Sequence, residues 1–132
     1  MKLSKNFTLE ELTKTSTGLA NIPPKWVEDN LKRLCVNVLQ PIRDLYGFPI
    51  YVNSGYRSRE VNKAVNGVSS SQHIYGYAAD ITAGSRAENR RLFNLILLFA
   101  GKIPFDQLID ENNYQWLHIS HSSYNRKQVL HL

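Results

Sequence analysis

The stretch Phe105-Asp106-Gln107-Leu108-Ile109-Asp110-Glu111-Asn112-Asn113-Tyr114-Gln115-Trp116-Leu117-His118-Ile119-Ser120 decides the reading of this chain. Two runs, Phe105 to Asp110 and Tyr114 to Ser120, carry strand-forming residues around the turn-prone Glu111-Asn112-Asn113, so they read as a β-hairpin. With Asn112-Asn113 as a two-residue loop, Glu111 opposes Tyr114, Ile109 opposes Trp116 and Gln107 opposes His118. His118 then shares its face with Trp116 and Ser120. In that register Glu111 lies on the His118 face but four residues along, about 13 Å away at strand rise.

Working outward, Ala78-Ala79-Asp80-Ile81-Thr82 and Ile50-Tyr51-Val52 read as further strands. Ser85-Arg86-Ala87-Glu88 is a capping box that opens a helix through Phe99, ended by Gly101. Thr8 and Glu11 form a second box, with Phe7 and Leu12 placed as a hydrophobic staple. Between them, Pro23-Pro24 opens the main helix, whose apolar stripe is Val27, Leu31, Leu34, Val38, Ile42 and Leu45. Pro41 should kink it and Gly47 should end it. Ser58 caps a brief helix through Val65. Strands and helices interleave without repeats, which predicts an α+β fold: one domain over residues 1–132, with a small antiparallel sheet packed against helices.

Sixteen Lys and Arg against eleven Asp and Glu leave a net charge of +5, which suits polyanionic surroundings such as nucleic acid or cell-wall polymer without choosing between them. The basic residues are scattered and accompany no nucleic-acid motif, so nucleic-acid binding is not expected. A lone cysteine, Cys35, makes no intramolecular disulfide and reads as a small buried residue. The longest apolar run, Leu95 to Ala100, falls far short of the roughly 20 residues that span a bilayer. Met1 to Asn6 lacks the apolar run of a secretory signal. Synthesis in the cytoplasm is therefore expected. A monomer is expected.

Three polar segments concentrate the chemistry: Ser54-Gly55-Tyr56-Arg57-Ser58, Ser71-Gln72-His73-Ile74-Tyr75-Gly76-Tyr77-Ala78-Ala79-Asp80, and Trp116-Leu117-His118. Two imidazoles and a carboxylate from distant points of the chain, His73, Asp80 and His118, make a three-ligand set that leaves a zinc ion one open position. Open coordination belongs to catalysis rather than to scaffolding. Gly55 and Gly76 read as points of unusual backbone conformation or close approach.

The motif Ser71-x-His73-x-x-Gly76-x-Ala78-x-Asp80, preceded by Ser54 to Ser58 and followed by Trp116-x-His118, resembles the zinc D-Ala-D-Ala carboxypeptidase family. That family includes vancomycin-resistance dipeptidases, phage L-alanyl-D-glutamate endolysins and proteins of the hedgehog-like fold. The resemblance extends over residues 7–120. It implies Zn²⁺ held by His73, Asp80 and His118, peptidoglycan stem peptides as substrate, Arg57 on the substrate and the developing oxyanion, and Ser71 hydrogen-bonding substrate near the metal. Trp116 and Tyr56 are either groove lining or core.

One position departs from the pattern. Many members of the family carry a carboxylate three residues before the last zinc histidine, as general base, and here that residue is Gln115. An amide does not accept the proton. Glu111 is the candidate base, against a solvated loop carboxylate, an activity without a dedicated carboxylate base, or none at all. His121 is excluded from the metal set because strand residues three apart face opposite ways, and His131 is assigned to a frayed tail. Two functions remain in contention: a peptidase of carboxypeptidase or endolysin type, and a catalytically impaired zinc protein that binds wall peptides or serves in a phage structure.

Overall fold

The structure, a computed structural model, describes residues 1–132. A two-stranded ribbon, β1 (Lys2–Ser4) and β2 (Phe7–Thr8), leads into α1 (Leu9–Thr13). Thr8 and Glu11 form the reciprocal capping box, and Phe7 and Leu12 are buried. α2 (Lys25–Leu34) runs through a π-helical segment (Cys35–Leu39) into α3 (Gln40–Tyr46), which Gly47 ends at φ 83°. Pro41 accounts for the π turn. It offers no N–H and its ring crowds the carbonyl of Asn37, so the ladder slips and the Gln40 N–H reaches back to the Cys35 carbonyl. The widened turn rotates α3 about its axis: Val27, Leu31, Leu34, Val38, Leu39 and Ile42 are buried, but Tyr46 rather than Leu45 packs on the core.

β3 (Tyr51–Ser54) precedes α4 (Arg59–Ala64), whose cap is Ser58, and a 3₁₀ turn (Gln72–Tyr75) precedes β4 (Ala78–Thr82). α5 (Arg86–Leu98) is capped by the Ser85 hydroxyl. Its box is one-sided, because the Glu88 carboxylate accepts from the Tyr46 hydroxyl at 2.6 Å instead. β5 (Gln107–Glu111), β6 (Trp116–Ser120) and β7 (Gln128–His131) complete a five-stranded sheet of order β3-β4-β6-β5-β7. β3, β4, β6 and β5 are antiparallel neighbours, as expected, and β7 adds one parallel partner to β5. The tail expected to fray is thus the sheet's edge strand. Backbone pairing holds it, as does a contact between His131 Nδ1 and the buried Asp110 carboxylate.

The hairpin register also differs from the expectation. Residues 112–115 form the turn, so Glu111 opposes Trp116 and Ile109 opposes His118. Asn112, Asn113 and Tyr114 all adopt left-handed backbone, with φ of 51°, 55° and 62°. The buried Asn89 amide holds this tip by donating to the Tyr114 and Gln115 carbonyls, at 2.9 and 3.1 Å. That tertiary anchor overrides the local preference for a two-residue Asn-Asn turn. Because the slip is two residues, the faces are unchanged. Ala79, Ile81, Leu108, Leu117 and Ile119 point into the helices, and Asp80, Ile109, Glu111, Trp116 and His118 line a cleft on the other side.

Candidate metal centre

The cleft has a volume of about 340 Å³, and its wall includes Arg57, Ser71, Gln72, His73, Asp80, Glu111, Trp116 and His118. Three elements build its floor. Antiparallel pairing sets Asp80 directly opposite His118 on β4 and β6. His73 arrives from the 3₁₀ turn, which the Ser71 hydroxyl caps by accepting from the His73 N–H at 3.2 Å. Gly76 then reverses the chain at φ 73°, where a β-carbon would sit 2.8 Å from the Val27 carbonyl oxygen. The turn therefore presses on α2 and delivers His73 and Asp80 to one point.

His73 and Asp80 are buried, at 3% and 9% exposure. One oxygen of Asp80, Oδ1, lies 3.3 Å from His73 Nε2 and 3.3 Å from His118 Nδ1. Yet it has no hydrogen-bond partner, which is costly for a buried acceptor. The three atoms lie within 4.8 Å of one another, the signature of a group that can hold a metal. Ligand atoms about 2.0–2.1 Å from a tetrahedral zinc stand about 3.3–3.4 Å apart, so the two nitrogen–oxygen spacings fit such an ion. Burial opposes ionisation of Asp80, but the pull of the His73 imidazole and the close ring nitrogens of His118 and His73 outweigh it. The carboxyl is held well below the usual range, in the anionic form a cation requires.

Each imidazole is oriented from behind. His73 Nδ1 donates to the Gly55 carbonyl at 2.7 Å, which turns Nε2 toward Asp80. Gly55 can reach this place because it lacks a side chain: a β-carbon there would stand 2.4 Å from the Leu12 carbonyl oxygen. His118 Nε2 faces Gln72 Oε1 at 3.4 Å, leaving Nδ1 toward the same carboxylate. Asp80 Oδ2, turned away from the imidazoles, receives Arg57 Nη2 at 3.4 Å. The Arg57 fork is further held by Ser54 Oγ at 3.2 Å and Asn62 Oδ1 at 3.3 Å, and its guanidinium edges the cleft.

Of the remaining expected residues, Trp116 lines the cleft while Tyr56 belongs to the core. Glu111 lies on the wall with Oε2 accepting from Trp116 Nε1 at 2.9 Å. The corrected register moves it from four residues to two along from His118, about 7 Å at strand rise. Gln115 sits exposed in the turn, where its side chain meets Asn112. His121 is outside the cluster, as expected, in a separate cleft with Arg33 and Tyr77, and burial pushes its pKa down. Sequence reading missed Gln72, Asn62 and Asn89, ordinary amides whose partners only the fold brings near.

An α+β scaffold with a His-Asp-His cage on the floor of an open cleft is a candidate metal-dependent hydrolase framework. Comparison with known proteins gives the family: residues 5–120 match Peptidase M15, and the chain belongs to it. The chain is also similar to the zinc D-Ala-D-Ala carboxypeptidase of Streptomyces albus G, with 51% identity over 49 residues, 36% of this chain. Those residues amount to 19% of that protein, so the chain matches about a fifth of its relative's length.

Proposed function

We propose that residues 1–132 form one zinc peptidase domain acting on the stem peptides of bacterial peptidoglycan, as a D-Ala-D-Ala carboxypeptidase or an endolysin-type endopeptidase. The observation that carries this is the orphaned, buried Asp80 Oδ1 set 3.3 Å from two imidazole nitrogens in an open cleft. Membership of Peptidase M15 and the similarity to a zinc D-Ala-D-Ala carboxypeptidase support the reaction class. His73 Nε2, Asp80 and His118 Nδ1 would hold the zinc. A bound zinc supplies a Lewis acid that polarises a scissile carbonyl and acidifies water.

The chain's own residues supply the rest. Arg57, a fixed cation at the edge of the cleft, suits a substrate carboxylate or the oxygen that gains charge as the amide is attacked. Ser71 and Trp116 flank the space a stem peptide would enter. Glu111 is the general base of this reading. Trp116 Nε1 occupies Oε2 and fixes the carboxylate on the wall, and Oε1 is the oxygen offered to the proton. Gln115 removes nothing in this reading, because its place is in the turn.

The test is to load the protein with zinc, incubate it with a muropeptide bearing an intact pentapeptide stem, and weigh the products. Loss of the terminal D-Ala marks a carboxypeptidase, and internal cleavage an endopeptidase. Stoichiometric zinc and wall binding without cleavage would transfer the protein to the binding role. The structure has no helix long and apolar enough to cross a membrane.

A further inference from the structure

The two imidazoles present opposite nitrogens to Asp80, and they are oriented by different means. His73 is fixed by a backbone carbonyl, Gly55 O. His118 is fixed by the side chain of Gln72, whose own orientation needs a cause, since an amide can present either oxygen or nitrogen. The cause lies one residue further. Gln72 Nε2 donates to Asp106 Oδ2 at 2.7 Å. Asp106 is buried at 2% exposure and, once ionised, only accepts. Arg126 surrounds it: its N–H and Nε donate to Oδ1, both at 2.9 Å, and Nη2 donates to Oδ2 at 3.0 Å. The Arg126 hydrogen bond, against a smaller opposing effect of burial, lowers the Asp106 carboxyl to about 2.

We infer that the C-terminal segment, which lies beyond the residues 5–120 matched by the family, sets the tautomer of His118 through a chain of positioning residues: Arg126, Asp106 and Gln72. This rests on the reading of His118 as a metal ligand. The carboxylate turns the Gln72 nitrogen toward itself and the Gln72 oxygen toward His118. An oxygen that only accepts favours a proton on His118 Nε2 and so frees the Nδ1 lone pair for a cation, whereas Asp80 Oδ1, an acceptor 3.3 Å from Nδ1, competes for that proton while the cage is empty. β7 keeps the device assembled, because the Gln128 N–H donates to the Asp106 carbonyl at 2.8 Å and β7 runs parallel to β5. Of the three positioning residues, only Gln72 reaches the cleft wall; Asp106 and Arg126 stand behind it.

The experiment reads the tautomer directly, by two-bond ¹H–¹⁵N correlation on the metal-free full chain, and zinc affinity separately, by competition with a chromophoric chelator. The expected wild-type signature is a substantial Nε2–H population on His118, held against the competing Asp80, and Nδ1–H on His73. Gln72→Met and Asp106→Asn should shift the His118 proton toward Nδ1 and Asp80, while His73, held by the backbone, is unchanged. Both should weaken zinc binding about 10–100-fold, the usual effect of removing an outer partner of a metal ligand. The double variant should lose no more than Gln72→Met alone, because the two residues act in series. Gln72→Met leaves Asp106 and Arg126 in place, so it carries the test if Asp106→Asn loosens β7. Wild-type His118 with its proton on Nδ1 alone, or variants that keep both the tautomer populations and zinc affinity within about twofold, would overturn the inference. A wild-type chain that binds no zinc would instead sink the metal reading and leave the tautomer result to be judged by itself.

Discussion

On one face of the sheet Ala79, Ile81, Leu108, Leu117 and Ile119 are buried in the core; on the other, one residue along each strand, Asp80, Ile109, Glu111, Trp116 and His118 line the cleft. The first face is satisfied by volume and shape, and any well-packed apolar set would serve it. The second is satisfied by direction, with each nitrogen or oxygen aimed by a named partner, and it retains one acceptor, Asp80 Oδ1, that the protein alone leaves unpaired. A face built for a ligand thus gives up stability that the opposite face provides.

The largest effect should come from emptying the cage. His73→Ala is expected to reduce bound zinc from about one per chain to near none, measured by elemental analysis after dialysis, and to abolish any cleavage of muropeptide. The fold should survive with a lower melting temperature, since the Gly55 carbonyl loses its donor, an effect of about 1–3 kcal/mol. Cleavage that persisted without metal would separate the cage from the chemistry.

Next in size is Glu111→Gln. It removes the proposed proton acceptor but no zinc ligand, so zinc content should hold while kcat falls about 10²–10⁴-fold. Gln115→Ala is the paired measurement: with its side chain in the turn, kcat should stay within about twofold of wild type. The opposite result, a loss at Gln115 and none at Glu111, would show that the turn reorganises when substrate arrives. Leu117→Ala should invert the pattern. Fully buried on the core face, it is expected to cost about 2–5 kcal/mol in denaturant unfolding while zinc stoichiometry is retained at permissive temperature.

The same alternation explains what was legible in the sequence. Period-two patterning around Trp116-Leu117-His118 fixes which face each residue takes, and a register slip of two residues leaves that assignment intact. Distance along the strand is another matter. Placing Glu111 two rather than four residues from His118 depends on three left-handed residues held by Asn89 from α5, a contact no local pattern announces. The Thr8 box, the Ser58 cap and the Gly47 stop are local chemistry and were all readable. β7 was not, because Gln128 to His131 forms a strand only by pairing in parallel with β5, and its anchor Arg126 finds Asp106 across the fold.

The smallest expected effect tests that anchor through pH. The folded-state pKa of Asp106 lies at about 2, below the usual carboxylate value. For a lowered pKa the stabilising contribution is fully present above the unfolded value of about 4 and is lost as pH falls through the folded value. Wild type should therefore shed this contribution between about pH 4 and about pH 2, whereas Asp106→Asn has no such proton to take up. The gap between their melting temperatures should be constant from pH 7 to about 5 and narrow steadily below about 4. Arg126 is about half exposed, so added salt should narrow the gap as well. A gap that stayed constant down to pH 2 would mean that Asp106 holds β7 through its shape and neutral hydrogen bonds alone. The C-terminal strand would then be coupled to the cleft by packing rather than by charge.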